Sequence, residues 1–180
     1  KPYGFMAFYP GPGLGGHCIP LDPFYLSWKA KEYDYHTKLI ETSGEINDFM
    51  PEFVVDNAMK LLNQYGKAMK GSKVLLLGVA YKKDIDDLRE SPVLKIIDHL
   101  RKNGAKIVVD DPFIPEFKRG GKVYKTVNWK NEIDSSDIVI ITTDHSCYDY
   151  QTIVDRAKII YDTRNATRDV KNNREKIHKL

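Results

Sequence analysis

The sequence predicts an α/β fold: a helical N-terminal segment followed by a doubly wound parallel sheet of about five strands. Three observations predict it. Residues 73–78 (KVLLLG) form a short apolar run of the kind found in strands buried on both faces. Later short apolar runs alternate with helical stretches, the rhythm of strand–helix–strand units. Before Gly71-Ser72, by contrast, the apolar residues from Ile46 to Tyr65 recur at helical spacing. That pair separates residues 1–70 from residues 71–180.

Residues 1–20 (KPYGFMAFYPGPGLGGHCIP) hold five glycines and four prolines, a density that sustains neither a helix nor a central strand. Asp22-Pro23 reads as an N-cap followed by a first-turn proline, opening a helix to about Glu32. A second helical stretch follows Tyr35. From Ile46 the apolar residues fall at Ile46, Phe49, Met50, Phe53, Val54, Ala58, Leu61, Leu62 and Tyr65, which is helical spacing. Pro51 inside this pattern predicts a kink or restart, and Gly66 ends it. Such a stripe packs either on its own domain or on a partner, and the pattern fits both.

In the second part, Ser91-Pro92 is another N-cap with a first-turn proline, and its helix runs to the stop signal Asn103-Gly104. Residues 106–109, 123–126, 138–142 and 159–161 supply further strands, with helical connectors at Ser135-Ser136 and 148–156. The result is a Rossmann-like domain over residues 73–162. The tail from Arg164 carries six Lys/Arg against two acids and is expected to fray.

Composition narrows the function. The 180 residues hold 28 Lys+Arg and 25 Asp+Glu, a net charge of +3 that gives no reason to expect nucleic acid. With 42% hydrophobic and 29% charged residues, the chain is globular in composition. No apolar run reaches the ~18 residues of a membrane span. The first residue is Lys1, without a methionine or a signal-peptide pattern, so a fragment is expected. The two cysteines, Cys18 and Cys147, lack metal-ligand spacing and are read as free thiols in a reducing cytoplasm.

Two loops carry the chemistry. Gly11-Pro12-Gly13-Leu14-Gly15-Gly16 looks like a phosphate loop, but no strand precedes it, Pro12 interrupts it and no acidic residue closes a βαβ unit. His17-Cys18-Ile19-Pro20-Leu21-Asp22 follows. Glycines let the backbone approach a ligand, and a cysteine beside a helix N-terminus is favoured as thiolate, so Cys18 suits a nucleophile. A structural cysteine and a plain N-cap at Asp22 are the simpler readings of those residues alone. The second loop, GVAYKKDIDDLRESP at 78–92, lies where open α/β sheets bind ligands. Lys82, Lys83 and Arg89 can hold phosphates there, with Tyr81 packing on a ring; the three nearby aspartates fit a solvated charged turn equally well. Arg164, after the last strand, has the same choice between phosphate and solvent. His145-Ser146-Cys147 tempts a triad reading, but contiguous residues seldom form one.

Together, GPGLGGHCIPLDP, the helix ending near Gly66 and GVAYKKDIDDLRESP resemble the UDP-glucose/GDP-mannose dehydrogenase family over essentially the whole chain. The opening looks closest to the family's UDP-N-acetyl-D-glucosamine 6-dehydrogenase branch, with UDP-N-acetylmannosamine dehydrogenases as near neighbours. One departure is the segment Pro2-Tyr3-Gly4-Phe5, where neighbouring branches carry basic residues. The resemblance implies the end of a central helical dimerisation region (1–70) and a C-terminal UDP-sugar domain (71–180). The family's NAD-binding domain and catalytic lysine have no counterpart here.

The activity so implied is oxidation of a sugar C6 alcohol to the uronic acid with two NAD per turnover, through a thiohemiacetal and then a thioester on Cys18. Asp22 would activate water. By the same resemblance Gly15, Tyr81, Lys82 and, less closely, Arg164 contact the UDP-sugar, and Arg89 reaches NAD. A homodimer is implied, with no metal, nucleic acid or membrane partner. Two other readings stand beside this one: a stand-alone UDP-sugar-binding module without catalysis, and a cysteine hydrolase using Cys18 and His17.

Overall fold

A computed structural model describes residue 4 and residues 8–180. The expectations placed on Lys1 and on Pro2, Tyr3 and Phe5 lie outside these described residues. Two helices, α1 (Cys18–Lys31) and α2 (Lys38–Gln64), precede the sheet. The order is then β1 (Lys73–Leu77), α3 (Pro92–Lys102), β2 (Lys106–Asp110), β3 (Glu116–Arg119), β4 (Lys122–Lys125), α4 (Trp129–Glu132), β5 (Ile138–Ile141), α5 (Tyr150–Arg156), β6 (Ile160–Asp162) and β7 (Ile177–Lys179).

Five strands form one parallel sheet in the order β2-β1-β5-β6-β7. Its two faces are both covered, which is why β1 is apolar at successive positions. Val74 and Leu76 pack with α2 and α3 (Val54, Ala58, Leu62, Ile96, Leu100), while Leu75 and Leu77 pack with Trp129, Ile133, Ile153 and Val154. Strand order turns from leftward to rightward between β1 and β5, so the loops after these strands open the crevice where such sheets bind ligands. Ser91 caps α3 as expected, its Oγ accepting from the Val93 N–H at 3.3 Å.

Four details depart from the sequence reading. Residues 123–126 do not join the parallel sheet: β4 pairs antiparallel with β3 as a separate hairpin. Gly120 and Gly121, with φ of +54° and +74°, supply its tight turn. The fifth parallel strand is instead β7, in the tail expected to fray. Ile177 aligns with Ile160 and buries part of its side chain against the core, which outweighs the surrounding positive charge.

The third departure is the start of α1. It begins at Cys18, with His17 at the N-cap position, and Pro23 lies within the helix. Asp22 is therefore not the cap. Pro20 stands in the first turn, where its missing N–H has no helical partner to lose, so the Gly/Pro loop ends earlier than expected. Finally, α2 runs unbroken through Pro51, because that proline is itself buried alongside Val54, Val55, Ala58 and Leu62. Tertiary packing of this face outweighs the roughly 3 kcal/mol that an interior proline costs.

Ile46 and Phe49, in the N-terminal half of the same stripe, are exposed. Leu62→Ala should therefore cost about 2–5 kcal/mol in urea unfolding, and Ile46→Ala less than about 0.5 kcal/mol. Equal losses would contradict the packing of α2.

Candidate functional site

The glycine loop folds back onto the carboxyl edge of the sheet. Its Leu14 N–H donates to Asn47 Oδ1 on α2 at 2.7 Å, and its Gly16 N–H donates to the Arg89 carbonyl at 2.8 Å. Gly16 has φ +82°, which favours glycine. Gly15 is required by space: a Cβ there would lie 2.5 Å from Tyr81 Cβ and 2.9 Å from the Glu90 carbonyl oxygen. The Tyr81 ring continues past Gly16, where a Cβ would stand 3.1 Å from its edge. Two segments some seventy residues apart thus touch backbone to ring.

Immediately after this contact the chain enters α1. Cys18 is the first helical residue and Asp22 is one turn on; both are exposed. Residues four apart share a helix face, so thiol and carboxylate stand on the same side of α1. An Asp22 at the cap, as expected from sequence, would not give this arrangement. His17 Nδ1 lies 3.4 Å from Arg89 Nη1, which ties the cysteine loop to the second loop once more.

Arg89 is clamped by Asp87 through Nε and Nη2, at 2.8 and 2.6 Å to Oδ2. This pairing lowers the Asp87 pKa and raises that of Arg89. Lys82 is exposed and makes no hydrogen bond or ion pair with the described residues. Arg164 is half-buried, its Nε 3.4 Å from Asp144 Oδ1. Its guanidinium also reaches the glycine loop, since a Cβ on Gly11 would lie 2.6 Å from Nη1. Gly15, Tyr81, Arg89 and Arg164 therefore all border the cysteine loop.

Buried carboxylates hold these loops, and sequence reasoning did not single them out. Asp111, at the end of β2, accepts from the Val79 and Ala80 N–H groups through Oδ2 and from Phe113 and Ile114 through Oδ1. Asp162, at the end of β6, accepts from the N–H groups of Arg164, Ala166 and Thr167. The legible signal was positional: aspartates at the ends of β2 and β6, where freed N–H groups need acceptors. His145 is buried beside Asp111, and Ser146 binds Asp84. The triad reading thus finds no support, because both side chains serve the loop. Among the described residues no cluster of three His, Cys, Asp or Glu side chains is placed to hold a metal, and no helix is long and apolar enough to cross a membrane.

Burial raises the Asp111 pKa, but hydrogen bonds from His145, Val79, Phe113 and Ala80 outweigh it and the net shift is downward. Stability from a carboxylate depressed on folding is present above the unfolded value, ~3.9, and is lost as pH falls through the folded one. Asp84 and Asp87 shift the same way. Asp110 shifts oppositely, raised mainly by burial, and its contribution is lost as pH rises. The depressed groups predominate, so the urea midpoint should fall as pH drops below about 4. A midpoint unchanged from neutral pH to pH 3 would contradict this.

Comparisons with known proteins agree with the geometry. Residues 75–169 match the UDP-binding domain of the UDP-glucose/GDP-mannose dehydrogenase family, and residues 1–49 match its central domain. The UDP-N-acetyl-D-mannosamine dehydrogenase of Methanocaldococcus jannaschii is 35% identical over 164 residues, 87% of this chain and 35% of that protein. An NDP-N-acetyl-D-galactosaminuronic acid dehydrogenase of Ralstonia nicotianae is 31% identical over 86% of this chain and 36% of its own length. The structure of a UDP-D-ManNAc dehydrogenase from Pyrococcus horikoshii superposes with a TM-score of 0.76 at 29% identity, covering 95% of this chain and 39% of that one. The chain spans a little over a third of the length of these relatives. It belongs to the UDP-glucose/GDP-mannose dehydrogenase family and contains that family's UDP-binding domain.

Proposed function

We propose that this chain is the nucleophile-bearing, UDP-sugar-binding portion of an NAD-dependent nucleotide-sugar 6-dehydrogenase. The observation that carries the reading is the closure of the Cys18 loop onto the Tyr81 loop at the ligand edge of the sheet. A diphosphate needs cations beside an aromatic shelf. Lys82 and Arg164 supply the first and Tyr81 the second. The sugar then extends toward α1, where Cys18 and Asp22 share a face.

In this reading the Cys18 thiolate attacks the C6 aldehyde. A carbon–sulfur bond forms while the carbonyl pair moves to oxygen, which takes a proton. At the later acyl stage Asp22 accepts a proton from water as water adds to C6 and the thiolate leaves. NAD would serve as hydride acceptor. Arg89 is the one contact to it that this reading places on the chain, and the rest of the NAD site is assigned to the part of the enzyme outside these 180 residues, in keeping with the third or so of its relatives' length that the chain spans. The isolated chain is accordingly expected to be inactive.

An N-acetylhexosamine fits the substrate best. The resemblance of the opening segment points to UDP-N-acetylglucosamine, while the relatives named above carry the mannosamine and galactosaminuronate names. A panel of UDP-N-acetylglucosamine, UDP-N-acetylmannosamine and UDP-N-acetylgalactosamine decides the epimer. A cytoplasmic location suits two exposed free thiols. A stand-alone UDP-sugar-binding module is the second reading, and the UDP-binding domain match suits it equally.

Calorimetry with UDP and UDP-N-acetylhexosamines tests the site. Lys82→Ala should weaken UDP binding by about 1–3 kcal/mol. Unchanged affinity would return Lys82 to the solvated turn, and NADH formation by the isolated chain would refute the division of labour. We also propose a homodimer through the helical segment, supported by the exposed Trp28, Ile46 and Phe49 on α1 and α2. Sedimentation should show a dimer weakened by Phe49→Asp, whereas a monomer at all concentrations would contradict it.

A further inference from the structure

Three loops at the ligand edge meet at one buried imidazole. His145, on the loop after β5, is 0% exposed. Its Nδ1 lies 2.9 Å from the Asp84 backbone nitrogen, which donates to it. A ring nitrogen that accepts carries no proton, so the hydrogen belongs to Nε2, which donates to Asp111 Oδ2 at 3.2 Å. The rings of Phe113 and Tyr148 flank the imidazole at centroid distances of 5.0 and 5.6 Å.

The partners of His145 are fixed in turn. Asp111 is held by four backbone N–H groups from two loops. The Asp84 carboxylate accepts from both the N–H and the hydroxyl of Ser146, at 2.7 and 2.6 Å. Asp84 itself has φ +60°, a conformation uncommon outside glycine. Tyr81 and Lys82 lie between this anchored residue and the anchored amides of Val79 and Ala80.

We propose that His145 is a positioning residue for the UDP-sugar loop: its unprotonated Nδ1 holds the Asp84 amide and so sets where Tyr81 and Lys82 face the ligand. This rests on the UDP-sugar reading above. The essential feature is the acceptor. An apolar ring of similar size leaves the Asp84 N–H without its partner and frees the loop to turn. Asparagine places Oδ1 near the position of Nδ1 and keeps that bond.

The test uses the 180-residue chain, with UDP as the probe. Long-range proton–nitrogen spectra should show His145 as the neutral Nε2–H tautomer, and the Asp84 amide should exchange slowly although the residue is exposed. His145→Phe should weaken UDP binding at least about tenfold and release the Asp84 amide, while His145→Asn should bind within about threefold of the parent. A proton on Nδ1, equal losses in both variants, or full affinity in a folded His145→Phe chain would overturn the proposal. If His145→Phe does not fold, the tautomer and the asparagine variant decide. If the parent chain fails to bind UDP, the site reading falls, and Asp84 amide exchange in His145→Asn still judges whether the acceptor holds the loop.

Discussion

The close approach of Gly15 and Gly16 to Tyr81 is the constraint on which the site depends. Without it, the cysteine loop and the sheet edge would be two unrelated surfaces. A side chain at position 15 would meet both the Tyr81 Cβ and the Glu90 carbonyl, so the contact needs glycine and not simply a small residue. The Gly16 N–H to Arg89 carbonyl bond then fixes the direction in which α1 departs. Cys18 and Asp22 inherit their shared orientation from that departure. In the proposed reading, one segment brings the nucleophile and the other brings the cations.

The sheet contributes more than a platform. Each of its strand-ending aspartates turns a set of freed backbone N–H groups toward itself, and this shapes the loop above. Asp111 does so for the loops after β1 and β2, and Asp162 does so for the loop that carries Arg164. Such groups need acceptors in any buried loop. Here the acceptors are carboxylates, and through His145 one of them is linked to a third loop. Rigid support of this kind leaves Lys82 as an exposed cation on a fixed base.

Legibility in the sequence followed the range of the interactions. Helix and strand positions set by local pattern were readable: β1 from its apolar run, α3 from Ser91-Pro92, the end of α3 from Asn103-Gly104. Features decided by distant contacts were not. Residues 123–126 are an exception: their pairing with β3 was legible in the adjacent Gly120-Gly121 turn, a local hairpin signal that the strand pattern alone obscured. The tail's charge suggested fraying, yet Ile177 has a place beside β6. Asp22 looked like a cap because Ser/Thr/Asp before proline commonly is one; the loop docking that starts α1 at Cys18 is a tertiary effect. The site residues point to one chemistry only as a pair of motifs; Asp111 carries no local signal beyond its place after β2, and His145, four residues past β5, carries only the misleading His-Ser-Cys run.

The most direct measurement is an experimental structure of the chain with a UDP-N-acetylhexosamine. The diphosphate should lie beside Lys82 and Arg164, the uridine or sugar ring against Tyr81, and C6 should turn toward Cys18 on α1. A ligand bound elsewhere on the sheet, or one whose C6 points away from α1, would contradict it.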